Sequence, residues 1–175
     1  MSKSTIKLII RMLFFLLVLH VVRLVSVNTS VTHKDIQAEA VINASASRVW
    51  QVLLDFKAYP QWNPSIQNMT GTPSPGEKLT AKMRAGNLIM TLHPTVLIAR
   101  PERQLCWLGR LFIPWIFDGE HSFIIEPLNE NQVRFIQHEE FNGILIPFST
   151  KLLKDTKSSF NEMNRALKER AEQAN

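Results

Sequence analysis

The 175 residues include a single cysteine, Cys106, so neither an intrachain disulfide nor a thiolate zinc cluster is available. Acid is missing altogether from the first 23 residues, which hold Lys3, Lys7, Arg11 and Arg23. That segment supplies most of the formal charge of +5, and the rest of the chain is close to balanced. The basic charge is therefore no sign of a nucleic-acid partner. No His, Asp, Glu or Cys set has metal-ligand spacing, and no phosphate loop, dinucleotide fingerprint or nucleophile elbow is present. We expect no cofactor and no metal. Internal repeats and low-complexity tracts are absent too. What remains, at 45% hydrophobic and 20% charged, is the composition of a globular chain of about one domain.

The N-terminus is the exception to that composition. Residues 12–22 read MLFFLLVLHVV behind a basic start, which is the layout of a secretory signal or a signal anchor. No small-x-small cleavage pair follows directly, and Ala38 and Ala40, which have the right sizes, fall in what reads as the first strand. Residues 8–27 are of the length needed to cross a bilayer, with Arg11 and Arg23 near the two ends. The expected organisation is an anchor or signal over residues 1–27, a polar linker over 28–35 and one ligand-binding domain over 36–173. The leading reading is a single-pass membrane protein with its domain on the extracytoplasmic side. Secretion after cleavage, and a helix lying on the membrane or packed on the domain, remain open.

From Ile36 the periodicity becomes two: Ile36, Ala38, Ala40 and Ile42 alternate with polar residues, as in a half-buried strand. Ser45 can cap a helix that carries Val49, Val52, Leu53 and Phe56 on one face. Tyr59, Pro60, Trp62, Asn63 and Pro64 end it. Alternation then returns: Leu79, Ala81 and Met83 share one face, Ala85-Gly86-Asn87 makes a hairpin turn, and residues 88–98 read as one strand. In that strand His93 falls on the polar side. Leu105, Trp107 and Leu111 follow, then a hairpin of residues 117–127 and 132–142. The chain closes in a helix from about Thr150 to Gln173, striped with Leu153, Phe160, Met163, Leu167 and Ala171. A long bent sheet against one terminal helix encloses more space than small side chains fill, which favours a ligand cavity.

Within the long hairpin, Pro127 opposite Val133 would set His121 opposite Glu139 and Phe123 opposite Gln137. His121 and Glu139 then meet as an ion pair or hydrogen bond in an apolar surface. Such a pair binds a ligand head group, works as acid and base, or merely fixes the hairpin register. A slip of one residue would instead turn His138 and Glu140 inward. Trp50 and Trp62 are expected to be structural. Around the far end, residues 111–117 and 144–148 are two almost wholly apolar segments that suit a gate, a buried closure or a lip dipping into a membrane.

Several of these residues, in this order, resemble the START-like (SRPBCC, Bet v 1-like) superfamily, in its polyketide cyclase/dehydrase and lipid-transport branch. They are Val49-Trp50, Asp55, Tyr59-Pro60, Trp62-Asn63-Pro64, Gly71, Gly76, Leu105-x-Trp107-x-Gly109, His121-x-Phe123 and Glu140-Phe141-x-Gly143. The resemblance implies an α+β helix-grip fold, a strongly bent antiparallel sheet wrapped around a long C-terminal helix with an apolar cavity. Here the N-terminal hydrophobic helix is added to it. The expected ligand contacts are Leu92, Trp107, Trp115, His121, Phe123 and Phe135 from the strands and loops. Gln137, Glu139, Phe141, Phe160, Met163 and Asn164 complete them. The expected partner is an apolar small molecule or lipid, with membrane contact through residues 8–27 and no nucleic acid. A cyclase or dehydratase using His121 and Glu139 is the alternative, and a chaperone-binding module a further one.

Overall fold

A computed structural model describes residues 3–26, 32–85, 87–111 and 113–173. Residue 27 of the expected anchor, residues 28–31 of the expected linker, Gly86 of the expected turn and Phe112 of the apolar loop lie outside them. Helix α1 spans Lys3–Ser26. Its described side chains are Thr5, Lys7 and those of residues 10–20, all of them exposed. Among the described residues no helix is long and apolar enough to cross a membrane.

Strand β1 (His33–Ile42) opens the domain three residues before the first apolar position, because His33 and Lys34 still pair with Asn142 and Phe141. The Ser45 side chain caps helix α2 (Ala46–Leu54) by accepting from the Arg48 N–H at 3.2 Å, an interaction worth about 1 kcal/mol. A 3₁₀ turn, Phe56–Ala58, and a short helix α3, Tyr59–Trp62, follow. Buried Asn63 then accepts backbone N–H groups from Ser65 and Ile66 through Oδ1, which turns the chain into the sheet.

Seven more strands come next: β2 (Ile66–Thr70), β3 (Thr80–Ala85), β4 (Leu88–Leu92), β5 (Thr95–Arg100), β6 (Gln104–Leu111), β7 (Phe117–Asn129) and β8 (Gln132–Asn142). All pair antiparallel, in a five-stranded sheet ordered β1-β8-β7-β6-β5 and a three-stranded sheet ordered β2-β3-β4. Residues 88–98 are thus two strands, not one. Pro94 has no N–H to give a ladder, and the chain changes sheets there. Bonds from Leu79 N–H to the Pro94 carbonyl and from Val96 N–H to the Glu77 carbonyl join the two sheets into one bent wall.

Helix α4 (Thr150–Glu172) closes that wall. Its C-terminal half presents Met163, Leu167 and Ala171 to a core with Val49, Leu53, Phe135 and Tyr59. Arg48 bonds the carbonyls of Arg170 and Ala171, and Lys168 bonds that of Val41, which holds this end against α2 and β1. A smaller cluster of Ile36, Ala38, Phe117, Phe141, Ile146 and Phe160 lies toward the other end.

Candidate functional site

The N-terminal half of α4 packs on the large sheet through Phe160, Leu152 and Leu153 but stands off the rest of the wall. Between them the protein leaves about 110 Å³ of free space. Met83, Met90 and Leu92 wall it from the small sheet, and Trp107, Leu111, Phe117 and Phe141 from the large one. Leu152, Thr156, Ser159, Phe160 and Met163 close it from α4, with Arg84 and Arg110 also on its boundary. This is small beside the several hundred Å³ of a typical ligand pocket, so a larger occupant requires the rim to move.

Three polar side chains enter the apolar enclosure from the long hairpin: His121, Gln137 and Glu139. The register matches expectation, with His121 opposite Glu139 and Phe123 opposite Gln137. The partnership does not. His121 Nε2 lies 3.1 Å from Gln137 Oε1, its diagonal neighbour, and no bond joins it to Glu139. The Gln137 amide in turn donates to Asn164 Oδ1 at 2.6 Å and to the Phe160 carbonyl at 3.3 Å. With the Gln137 oxygen as acceptor, His121 carries its proton on Nε2. Its ring stacks between Phe123 and Phe160 at 4.1 and 4.5 Å and meets Trp107 edge-on. Burial among these rings drives the imidazole down to about 3, so it stays neutral. His121 is built to hold position, not to exchange protons near neutral pH.

Glu139 is left with the cavity. Its half-buried carboxyl faces this free space, and neither a hydrogen bond nor an ion pair holds it among the described residues. A niche makes room for it: Gly109 and Gly119 are paired across β6 and β7. A Cβ at residue 119 would stand 2.5 Å from Glu139 Oε1 and 3.2 Å from Phe141. Burial raises the carboxyl to about 8, because no cation compensates its charge. At neutral pH it is a neutral acid, able both to donate and to accept a hydrogen bond.

Of the residues expected at the ligand, Leu92, Trp107, His121, Gln137, Glu139, Phe141, Phe160 and Met163 line the cavity. Phe123 and Phe135 lie within the core behind it. Asn164 is buried as the last member of the His121–Gln137 chain. Trp115 is 68% exposed and stands outside, since the loop after β6 turns outward through a positive φ of 71° at that residue. Sequence reasoning missed the glycine niche, Met83 and Met90 of the small sheet, and Leu152. Two glycines paired within otherwise bulky strands were the available signal. It also missed that Asp35, His138 and Glu140 bring ligand atoms within 4.8 Å of one another on the surface. Hydrogen bonds from His33 and His138 to Asp35, at 2.8 and 3.2 Å, account for much of that approach.

A family model described as polyketide cyclase / dehydrase and lipid transport matches residues 33–172. The chain belongs to that family. Membership supports a ligand-binding or cyclase-like function and suggests an apolar small molecule as the partner. Among solved structures, the Zhui aromatase/cyclase from Streptomyces sp. R1128 is similar at 14% identity and a TM-score of 0.65, covering 80% of this chain and 94% of that one. A START superfamily protein from Mycobacterium smegmatis is similar at 22% identity and a TM-score of 0.62, over 79% and 97%. Norcoclaurine synthase from Thalictrum flavum, in complex with dopamine and hydroxybenzaldehyde, is similar at 15% identity and a TM-score of 0.62, over 85% and 94%. At these identities the likeness concerns the fold alone. No curated protein matches the sequence.

Proposed function

We propose that the protein binds and carries an apolar small molecule that offers one hydrogen-bonding group to Glu139. One observation carries this reading. A carboxyl without a protein partner, set in an apolar enclosure, costs stability that a packed apolar residue would not. A ligand carbonyl, hydroxyl or amine at that point supplies the missing partner, while Trp107, Phe160 and Met90 supply the apolar contact. His121, tied through Gln137 to α4, keeps the wall beside Glu139 in place.

The reading includes attachment to lipid through α1. Ile10, Met12, Phe14, Phe15 and Leu17 are all exposed, and so are the apolar residues between them. A helix stretch apolar on every side calls for an apolar surrounding, which the domain does not give it.

Native mass spectrometry of the full chain, extracted from host membranes in detergent, tests carriage. The expected spectrum shows a discrete adduct of small-molecule or lipid mass that disappears in Leu152→Arg, a half-buried wall position. A clean apo mass in the presence of host lipids would sink the reading. An enzyme is the second reading, favoured by the neutral acid at Glu139, which is poised to protonate a substrate. Glu139→Gln separates the two, because the amide still hydrogen-bonds a ligand but cannot give it a proton. In a carrier, the variant and the native chain hold an adduct of the same mass. In a cyclase or dehydratase, the variant accumulates unconverted substrate, which differs from the product in mass where water is lost and in chromatographic retention of the released ligand where the ring closes by isomerisation.

A further inference from the structure

We propose that the exposed apolar lip formed by Ile113, Trp115, Ile144, Leu145 and Phe148 docks on an anionic lipid surface, placing the cavity end of the domain against the membrane. The proposal deepens the carrier reading and rests on its lipid attachment.

The lip is one surface built from two segments. Ile144 N–H bonds the Trp115 carbonyl at 3.0 Å, and Leu145 N–H bonds that of Ile116 at 3.1 Å. Phe148 is 84% exposed and Trp115 68%, although neither type tolerates water well. Trp115 is held outward at φ 71°, a left-handed conformation that a bulky residue adopts only at a cost. The segments also connect cavity walls. The first joins Leu111 to Phe117, and the second joins Phe141 to Leu152.

Two observations identify the occupant as lipid. Gly143 N–H bonds the Thr32 carbonyl at 2.9 Å, so the chain coming from α1 meets the domain at the lip itself. Thr32 follows Ser26, the end of α1, by six residues, a reach of about 20 Å at most. Beside the lip, Lys34, Lys154 and Lys157 border the groove between β1 and α4 that Ile146 and Pro147 close. Apolar side chains flanked by lysines suit an interface where acyl chains meet anionic head groups.

The test uses the full chain in vesicles of phosphatidylcholine and phosphatidylglycerol, in a Cys106→Ser background. A nitroxide is attached at Phe148→Cys, or at Asn131→Cys in the β7–β8 turn at the opposite end of β7. Flotation reports attachment, and collision with oxygen or a water-soluble nickel chelate reports depth. The expected result is a chain that floats, with an oxygen-to-nickel ratio several-fold higher at 148 than at 131. Replacing Lys34, Lys154 and Lys157 by Glu, or Trp115 by Gly, should lower that ratio several-fold. Trp115→Gly also relieves the strained φ, so loss of fold would not explain its effect. A floating chain with equal ratios at 148 and 131 overturns the lip and leaves α1 attachment standing. A label at 148 shielded from both reagents and broadened by a second label marks a protein or second-copy interface, which overturns it as well. A chain that fails to float overturns both lip and attachment, while the cavity's adduct is still read independently by mass.

Discussion

Helix α4 meets one curved wall in two different ways. Its C-terminal half is clamped: Leu167 is fully buried, Arg48 and Lys168 tie backbone carbonyls across the seam, and Tyr59 donates its hydroxyl to the Leu53 carbonyl at 2.6 Å. Burial holds the Tyr59 phenol well above its ordinary range, so it keeps the proton that it donates. The N-terminal half carries Leu152, Thr156 and Ser159 along free space, and its polar neighbours end in a carboxyl without a partner. The C-terminal half is packed along its length, whereas the N-terminal half packs through Phe160 and Leu153 and leaves free space beside Leu152 and Thr156. Ligand binding is expected where packing stops.

The sharpest way to break this contrast is to truncate the same residue type at both ends. Leu167→Ala should cost about 2–5 kcal/mol, because a fully packed site leaves a cavity that cannot collapse. Leu152→Ala removes a half-buried side chain that already borders empty space and should cost below about 1 kcal/mol. Urea unfolding of the two variants measures both. Equal losses would mean that the two halves of α4 are packed alike.

Titration sharpens the contrast further, since the two ionisable groups of the open end have opposite slopes. His121 falls from 6.5 to about 3 on folding, so the unfolded chain takes up a proton that the folded one refuses as pH drops through that window. Stability is lost toward acid there. Glu139 rises from 4.5 to about 8, so the unfolded chain releases a proton that the folded one keeps as pH climbs. Stability is lost toward alkali. Between 4.5 and 6.5 the two slopes cancel, and these groups give a plateau that falls away on both sides. The alkaline limb from 6.5 to 8 should amount to about 1 kcal/mol, reduced from an upper bound of about 2 kcal/mol because the carboxyl faces cavity space. Glu139→Gln should remove that limb and turn the plateau into a rise up to 6.5. Denaturation midpoints across pH show either pattern. A profile that Glu139→Gln leaves unchanged would place the carboxyl in water.

Most of the fold was legible because each signal was local. Alternation placed Ile36, Ala38 and Ile42 inward, Ser45 announced its helix, and the hairpin around residues 128–131 fixed which side chains of β7 and β8 share a face. Partner choice was not local. His121 has Glu139 directly opposite and Gln137 on the diagonal, and Asn164 with the Phe160 carbonyl decides between them from α4. The break at Pro94 was hidden for a related reason. Apolar alternation runs through it, and only the pairing of Lys78 with Thr95 shows that two sheets share the seam. The side taken by Trp115 was open between a cavity gate, a buried closure and an exposed lip, because apolar composition does not say which way the backbone turns, and its positive φ sets it outside.

The smallest expected change in stability belongs to the position that most affects the site. A methyl group at Gly119 would fall on the end of the Glu139 side chain, which is flexible, with Phe141 next in contact. Gly119→Ala therefore need not disturb the backbone, and its cost should stay within about 1 kcal/mol. What it takes away is the niche. The carboxyl is pushed toward the cavity centre or toward water, so the alkaline limb should shrink as it does in Glu139→Gln, and the bound adduct should weaken several-fold. Unfolding at two pH values together with native mass spectrometry reads all three. A variant that loses the adduct but keeps the full alkaline limb would show that the niche shapes the cavity without holding the acid.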